Sequence, residues 1–534
     1  MYFFARKVNA FTLKIIRNSA EEGKTIESRR SADRRNSDMN PRIQYISTRG
    51  SQRKREAAEA VIQGIAEDNG LFVPDFIPAL PFEIETMKER PYRDFAFEII
   101  RCFFTDYADD EIRACVNGAY DTKFEEEDIV PVVKAGDAFF LELYHGKTAA
   151  FKDMALSALP YLLTTAMKKK KEDKKICILT ATSGDTGKAA LEGFADVPGT
   201  EIIVFYPKQG VSEVQERQMV TQEGSNTHVF AIEGNFDDAQ TGVKKIFGDN
   251  AFADLLARSG YRLSSANSIN IGRLIPQIAY YVYGYAKLTA KGAIRSGDSI
   301  NIVVPTGNFG NILAAYYAKQ MGIPVNRLVC ASNENKVLTD FIHTGVYDLG
   351  RDFYLTNSPS MDILISSNLE RLLFHLSSGN PEEIKALMAA LDRDKRYEVS
   401  VAIKDGLRAF YGGHANVART NEAISEVYRK HNYLMDTHTA VAYKVYEDYR
   451  NVTKDKTVTL IASTASAYKF AESVARSIGL AEESDGFAYV KALREKTGIQ
   501  IPKALRGLED KKIRHTTTLR IDQMRDAVEK ALLK

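Results

Sequence analysis

Residues 142–153, with the sequence ELYHGKTAAFKD, place one lysine at the junction of a predicted strand and a predicted helix. The apolar run at 138–141 predicts the strand, and the apolar spacing over 153–163 predicts the helix. Lys152 follows two alanines and a phenylalanine, so we expect its amine to lose part of its solvation. Such a loss favours the neutral amine, which condenses with an aldehyde. Since most lysines are solvated surface groups, this stretch alone does not decide whether Lys152 is a reactive amine or an ordinary surface lysine.

Two later stretches run from a predicted strand through a glycine-bearing turn into a predicted helix. The first is ILTATSGDTG at 178–187, where Ser183 and Thr186 add hydroxyl donors to the turn. Glycines let backbone N–H groups approach a ligand, and a helix N-terminus adds positive potential, so a carboxylate or phosphate fits there. A plain strand–helix turn with Asp185 near the cap is the favoured alternative for this stretch.

The second stretch is IVVPTGNFGN at 302–311, and it follows the same pattern more strongly. Gly307 and Gly310 permit tight turns, and the N–H groups exposed between them can cradle a phosphate. The stretch is neither a Walker loop nor a G-x-G-x-x-G motif. A hairpin or a capping turn is the alternative, and an anion cradle is at least as good an interpretation.

The composition of the whole chain argues against several classes of protein. The 534 residues carry a net charge of +2, which gives no general case for nucleic-acid or membrane partners. No apolar run is long enough to cross a bilayer. The four cysteines show no zinc or redox spacing, and the eight histidines show no metal-site pairing. We therefore expect free thiols, no metal and a cytoplasmic location.

Charge and pattern divide the chain into four parts. Residues 1–38 carry nine Lys/Arg against five Asp/Glu, a surplus of four, and we expect them to be disordered and dispensable. Either they form a targeting arm or Met39 is the true start, and their acidic residues favour the second interpretation. The other parts are a small, mainly helical domain at 39–121, an α/β core at 122–480 with a helical insertion at about 367–432, and a C-terminal segment at 481–534.

Short β-rich runs alternate with helical patterns between residues 138 and 332. The runs lie at 176–180, 201–206, 227–232 and 299–305. This alternation predicts an α/β fold with parallel sheets and crossover helices.

Three other polar stretches precede helices or end a strand. SSANSINIGR at 264–273 is dense in hydrogen-bonding groups, and Arg273 is suited to clamp a phosphate; an N-capping loop with a surface arginine is the alternative. In DTHTA at 436–440, a simple cap by one of the first two residues is the favoured role. The serine and threonine at 463–464 end a strand, where a hydroxyl either caps the chain or meets a ligand ring nitrogen.

Taken together, these stretches resemble the threonine synthases, which are pyridoxal-phosphate enzymes of the tryptophan-synthase-β-like fold, fold type II. The resemblance rests on eight motifs in order: YISTRG at 45–50, HGKTAAFKD at 145–153, TSGDTG at 182–187, the stretch 264–273, GNFGN at 307–311, PSMD at 359–362 with SSNLERLL at 366–373, DTHTA at 436–440, and ST at 463–464. Each motif alone is modest, whereas eight in order are highly specific. The resemblance implies two parallel-sheet α/β subdomains beside the helical N-terminal domain.

The resemblance also implies a role for each matching position. Lys152 resembles the lysine that forms a Schiff base with pyridoxal phosphate. The cradle for the cofactor phosphate is then formed by Gly307, Asn308, Phe309, Gly310 and Asn311. Thr464 resembles the partner of the pyridine nitrogen. The residues expected to face the substrate are Ser183, Asp185 and Thr186, with Asn270 and Arg273 for its phosphate.

The implied reaction converts O-phospho-L-homoserine and water to L-threonine and phosphate, the last step of threonine biosynthesis, with the Lys152 amine as base at Cα. Lys147 and Thr437 stand where proline is common in the family motifs, and neither changes a chemical group of a motif. A related lyase that releases 2-oxobutyrate and ammonia is the first alternative. A non-catalytic binder is the second, and the intact Lys152 argues against it. The expected partner is the small-molecule substrate, with the chain a monomer or a homodimer.

Overall fold

The structure is a computed structural model that describes residues 42–208 and 210–533. The predictions for residues 1–38 therefore lie outside the described residues. Residues Ile43–Lys534 form one unit of mutual contacts, and the description below concerns that unit.

The strands within the described residues are short, at two to eight residues each. They are β1 Tyr45–Ser47, β2 Phe72–Pro74, β3 Val132–Ala135, β4 Ala138–Glu142, β5 Lys175–Ala181, β6 Thr200–Pro207, β7 Thr227–Ile232, β8 Tyr261–Ser264, β9 Ile300–Pro305, β10 Val325–Ser332, β11 Val346–Asp348, β12 Arg396–Glu398, β13 Phe410–His414, β14 Thr459–Ser463 and β15 Thr518–Leu519.

The helices within the described residues connect and cover these strands. They are α1 Ala57–Gln63, α2 Ile84–Met87, α3 Tyr92–Phe103, α4 Asp109–Ala119, α5 Asp153–Leu156, α6 Leu159–Lys170, α7 Asp185–Phe194, α8 Glu213–Val220, α9 Phe236–Gly248, α10 Asn250–Arg258, α11 Ile271–Ala290, α12 Gly310–Gln320, α13 Val337–Thr344, α14 Leu369–Leu376, α15 Pro381–Asp394, α16 Val401–Leu407, α17 Val417–His431, α18 Thr437–Thr453, α19 Ala471–Ser477, α20 Gly486–Thr497 and α21 Met524–Leu532. Single 3₁₀ turns lie at Pro359–Met361, Ala467–Phe470 and Ile521–Gln523.

Two large sheets form the α/β part of the chain. The first has the strand order β13-β10-β9-β14-β4-β3, and all its neighbours are parallel except β3 with β4. The second has the order β15-β7-β6-β5-β8 and is parallel throughout. Central strands such as β5 and β9 are buried on both faces, which explains their nearly continuous apolar sequences. The predicted α/β fold with parallel sheets is confirmed.

Helix α11 lies in the core and is buried on all sides. Only Lys287 and Ala290 reach intermediate exposure along its length. A helix that is apolar all round is stable only inside a protein, and α11 accordingly packs against α3 and α12. Its tyrosine hydroxyls all find acceptors, so their burial leaves no hydrogen bond unmade.

The helix predicted over 153–163 is interrupted in the structure. Helix α5 ends at Leu156, and α6 begins at Leu159 with Pro160 in its first turn. Proline fits a first helical turn but breaks a helix interior, because it has no N–H to donate. The apolar spacing therefore continues through a break that the proline causes.

The stretch 367–432 holds four helices and also two strands, β12 and β13. Strand β13 forms the outer edge of the six-stranded sheet beside β10, so this part of the stretch belongs to the core sheet. Its sequence, FYGGH, carries two glycines, which weaken the strand signal. The division of the chain into four parts stays a prediction. Among the described helices, none combines the length and the apolar composition needed to span a bilayer.

Candidate active site

Four strands, three from the first large sheet and one from the second, lead to the same cavity, which measures about 260 Å³. Strand β4 leads into the Lys152 stretch, β5 into the loop before α7, β9 into the loop before α12, and β14 into Thr464. Open parallel sheets bind ligands beyond the carboxyl ends of their strands, and this cavity has that position. The predicted site residues that line it are Lys152, Ser183, Asp185, Thr186, Arg273, Gly307, Asn308, Phe309, Gly310, Asn311 and Thr464.

Lys152 is held in place by backbone hydrogen bonds to the chain after β14. The Phe151 N–H donates to the Thr464 carbonyl at 2.8 Å. The Lys152 side chain is buried, and its Nζ lies 3.4 Å from Asp185 Oδ2 and 3.3 Å from Ser360 Oγ. Burial lowers the pKa of the Lys152 amine; the Asp185 carboxylate opposes this, and the charge of Lys469 adds to it. The surroundings therefore make the neutral amine easier to reach than in a solvated lysine.

Lys469 is a buried cation that the sequence analysis did not identify. Its Nζ lies 2.7 Å from Asp185 Oδ1, closer than the Lys152 amine lies to the same carboxylate, and it donates to the Thr148 carbonyl at 2.9 Å. Burial acts to raise the pKa of Asp185, but Lys469 and then Lys152 outweigh it and hold that pKa well below its usual range. Asp185 is thus a carboxylate whose main counter-ion is Lys469, which leaves Lys152 free to lose its proton.

The loop of the 182–187 motif is built around one hydroxyl. Thr182 Oγ1 accepts from the Gly184 N–H at 3.0 Å and from the Gly187 N–H at 2.8 Å. Gly184 has φ +124, and a Cβ there would lie 2.6 Å from the Gln215 side chain. The N-cap of α7 is Gly184, while the Asp185 carboxylate turns to the two lysines. Asp185 therefore lies next to the cap, as the alternative has it, but its carboxylate does not cap the helix.

The loop between β9 and α12 brings backbone N–H groups and one amide to the cavity. Phe309 caps α12 with φ +61. A Cβ at Gly307 would lie only 2.4 Å from the Ser360 carbonyl oxygen, so only glycine fits. Asn311 Oδ1 accepts from the Tyr280 hydroxyl at 2.6 Å, and its buried Nδ2 has no hydrogen-bond partner among the described residues. That unpaired donor lies at the N-terminus of α12, where an anion is favoured.

Asn270 and Arg273, both predicted to bind a phosphate, have different positions. Asn270 Oδ1 accepts from the Gly272 N–H at 2.9 Å and its Nδ2 donates to the Val61 carbonyl at 3.0 Å, so it caps α11 and does not line the cavity. Arg273 does line the cavity, and its Nε has no partner among the described residues. Burial lowers the pKa of Arg273 to about 10, so it remains a cation at neutral pH. The geometry supports a ligand contact for Arg273 alone.

His438 and Ser360 also line the cavity and were not predicted as site residues. His438 Nδ1 lies 2.9 Å from Asp436 Oδ2, and its Nε2 accepts from the Ser360 N–H at 3.2 Å. These two contacts place the imidazole proton on Nδ1. Asp436 caps α18 as expected, but the same carboxylate also orients the histidine.

Two of the motifs brace the site, and Ser367 of the second one also lines the cavity. Thr48 and Arg49 bind Glu370, with an Arg49 Nη2 to Glu370 Oε2 distance of 2.8 Å. The fully buried Arg371 donates to the Phe72 carbonyl at 2.9 Å and to the Ser268 carbonyl at 3.2 Å. These contacts tie the N-terminal region and the 264–273 loop to α14, so the motifs at 45–50 and 366–373 are structural supports.

Asp153 provides a prediction on stability. Burial raises the pKa of this carboxyl to about 6, although the Thr148 N–H and hydroxyl donate to it at 2.8 and 2.6 Å. Between its ordinary value near 3.8 and about 6, the folded chain holds a proton that the unfolded chain has released, so stability falls as pH rises through that window. In Asp153→Asn, the decrease in the free energy of unfolding over this pH window should be smaller by roughly 2 kcal/mol. Urea unfolding at about pH 4 and about pH 7 measures it; equal pH dependence in both proteins would contradict the assignment.

Three family models match the chain in order. They are described as threonine synthase N terminus at residues 44–120, pyridoxal-phosphate dependent enzyme at 133–464, and threonine synthase, C-terminal, at 439–531. A threonine synthase of Schizosaccharomyces pombe is 35% identical over 479 residues, which are 84% of this chain and 91% of that protein. The chain belongs to the threonine synthase family.

Two further comparisons show how this family member relates to others. The human protein named threonine synthase-like 1 is 38% identical over 439 residues, which are 80% of this chain and 58% of that protein. The chain thus spans less than two thirds of the length of that relative. The crystal structure of pyridoxal-phosphate-bound threonine synthase from Brucella melitensis is 33% identical, with a TM-score of 0.80, and the match covers 92% of this chain and 98% of that one. The predicted family and the predicted cofactor are confirmed.

The cavity fits pyridoxal phosphate on its own geometry. The buried Asn311 Nδ2 without a partner and the N-terminus of α12 offer donors to a phosphate. The buried Lys152 amine lines the same cavity as this loop, and its hydrogen-bond partners among the described residues are the Asp185 carboxylate and the Ser360 hydroxyl. The site thus offers this threonine synthase family member both an anion cradle and an amine for an aldehyde.

Gly307→Ala is expected to weaken cofactor binding by about tenfold or more, because the added Cβ collides with the Ser360 backbone, which must shift away from the cradle. Fluorescence titration of the apo-protein with pyridoxal phosphate measures the effect. Gly248→Ala is the matched control, since a Cβ there meets nothing within 4 Å. Equal cofactor affinity in Gly307→Ala and the control would show that the loop does not form the cradle.

Proposed function

We propose that this chain converts O-phospho-L-homoserine and water to L-threonine and phosphate. The observation that carries the proposal is one cavity lined by a buried amine, Lys152, by the glycine loop before α12, and by a separate buried cation, Arg273. The substrate and the cofactor each carry a phosphate, and the two anion-binding groups match that demand. Family membership supports the same reaction.

The proposed cofactor site consists of the glycine loop and Thr464. The backbone N–H groups from Gly307 to Asn311 and the Asn311 amide hold the cofactor phosphate, and the Thr464 hydroxyl faces the ring nitrogen. Pyridoxal phosphate, when bound, supplies an aldehyde for amines and a ring that delocalises charge from carbon. A hydroxyl partner, unlike a carboxylate, does not force a proton onto the ring nitrogen.

Lys152 is proposed to move the protons. Its neutral amine accepts a proton at the substrate Cα, since burial and the neighbouring Lys469 both disfavour its charged form. Asp185 lies 3.4 Å from the amine and stays ionised, so it stabilises the ammonium that results. The pairing of Asp185 with Lys469 keeps this stabilisation partial, which allows the proton to be returned.

The substrate phosphate is proposed to bind Arg273, with the Ser183 and Thr186 hydroxyls as further donors. The Arg273 Nε is buried without a partner and lies on the cavity wall. A phosphate there would satisfy it with a charge-assisted hydrogen bond. Asn270 is left out of this proposal because both of its polar groups are already used.

The test is a product assay with the protein, pyridoxal phosphate and O-phospho-L-homoserine. Equal amounts of threonine and phosphate would support the proposal. Phosphate with 2-oxobutyrate would instead identify a lyase of the same fold. Absence of turnover would reject the substrate while leaving the family membership in place.

We also make three broader proposals. A cytoplasmic location is supported by four unpaired cysteines, all within the described residues. The partner is a small-molecule substrate, and the chain is a monomer or a homodimer. The four-part division of the chain, with its boundaries at 39, 122 and 481, is the third.

A further inference from the structure

A second cavity, of about 320 Å³, lies behind the Lys152 stretch. Its walls come from residues 146–147, from α7 and α8, and from the segment 503–511. It shares no lining residue with the first cavity, and the proposed reaction assigns it no role. We call it the rear cavity.

One wall of the rear cavity carries an excess of positive charge. Lys188 Nζ lies 3.0 Å from Glu192 Oε2, and Lys147 Nζ lies 3.2 Å from Oε1 of the same carboxylate. Burial lowers the pKa of Lys188; Glu192 opposes this, and the charge of Lys511 adds to it. Two ammonium groups thus share one carboxylate, and Lys511 is a further cation of the lining, so a ligand carboxylate would add the negative charge that this wall lacks.

The other acidic groups of the rear cavity are engaged elsewhere. Glu223 pairs with Arg514 at 2.9 Å, and Asp196 accepts from Ser225 at 2.8 Å. Glu125 accepts from the Lys503 N–H. None of these three contacts involves Lys188 or Lys511.

The Gln218 side chain requires a hydrogen-bond donor, whereas the lysines require an anion. Gln218 is 1% exposed, and its Nε2 donates to the Thr148 carbonyl at 3.4 Å. That contact fixes the orientation of the amide, and the buried Oε1 has no hydrogen-bond partner among the described residues. An unpaired buried amide oxygen is costly, so this wall requires a ligand that donates a hydrogen.

We propose that the rear cavity binds a free α-amino acid. Its carboxylate pairs with Lys188 and Lys511, and its ammonium group donates to Gln218 Oε1. An inorganic anion would satisfy only the lysines, and a simple amine would satisfy only Gln218. Ala195, Ala504 and Leu508 line the remaining space, which suits a small aliphatic side chain.

A ligand in the rear cavity is connected to the first cavity through Thr148. Gln218 and Lys469 donate to the same Thr148 carbonyl, and the Thr148 hydroxyl donates to Asp153, which follows Lys152. Helix α7 also reaches both cavities, with Asp185 in the first and Lys188 in the rear one. We therefore expect the bound amino acid to change the kcat/KM of the reacting site.

The experiment is calorimetric titration of the holoenzyme with the common L-α-amino acids, with sodium phosphate, lactate and methylamine as comparators. Heat without a change in the cofactor absorbance separates the rear cavity from the first. We expect an amino acid to bind, and Lys511→Met to weaken it by about tenfold or more. Lys385→Met, an exposed lysine of α15, is the control and should have no effect.

Lys188→Met provides a second variant, since Lys511 is exposed and Lys188 is buried. Phosphate or lactate binding as tightly as the amino acid would overturn the proposed ligand class. Unchanged affinity in both variants, or no binding at all, would overturn the site. Because no O-phospho-L-homoserine is used in the titration, the result is independent of the proposed reaction.

Discussion

Replacing Lys152 with alanine is expected to lower kcat/KM for O-phospho-L-homoserine by at least about 10³-fold, because the variant loses the amine that transfers protons in the cavity. Steady-state kinetics with excess pyridoxal phosphate measures the loss. The absorbance spectrum of the cofactor should change as well, since the variant lacks the buried cavity amine that would condense with the cofactor aldehyde.

Two further variants separate chemistry from charge. Lys152→Arg keeps the cation but cannot supply a neutral amine, so it should be as inactive as the alanine variant. Lys385→Ala, at an exposed position, should keep full activity. Substantial activity in Lys152→Arg would mean that the lysine acts only as a positive charge.

Replacing Lys469 with methionine is expected to have the second largest effect, a loss of about 3 kcal/mol in the free energy of unfolding. The variant removes a fully buried cation from Asp185 and leaves the carboxylate with Lys152 and Gln215. It also removes a charge that lowers the pKa of Lys152, so that pKa should rise. The acidic limb of the pH profile of kcat should then move to higher pH.

Urea unfolding and the pH profile test these two consequences separately. Lys444→Met is the matched control, because Lys444 is ion-paired with Glu447 at 3.0 Å but is only partly buried. It should lose at most about 1 kcal/mol and leave the pH profile unchanged. A loss of stability in Lys469→Met without any movement of the pH profile would show that Lys469 is purely structural.

The strands and glycine loops of the site were predictable because their signals are local. β5, β9 and β14 are short apolar runs, each followed at once by polar or glycine residues. Parallel strands bring such loops to one edge of a sheet. The position of Lys152 was predictable for the same reason, since it lies in the stretch after β4. The sequence order thus indicated where the cavity lies.

The contacts across the cavity were not predictable in the same way. Lys469 lies 284 positions from Asp185 in the chain, so no spacing rule connects them. Asn270 is of a residue type that can bind a ligand, but a short amide at the start of a helix is equally suited to cap it. Its hydrogen bond to the Val61 carbonyl holds it in the capping position. Apolar spacing alone predicts one helix over 153–163, because it does not register the break that Pro160 causes before α6.

The buried helix α11 connects the two proposed anion-binding groups. Arg273 stands in its first turn, and Tyr280, seven residues later, holds Asn311 of the cofactor cradle. Seven residues of α-helix rise about 10 Å. Pro276 lies between these two residues, and the core that packs around α11 holds their spacing. In the proposed reaction, α11 would thus set the separation of the two phosphates, and with it the number of carbons between the amino group and the phosphate of the substrate.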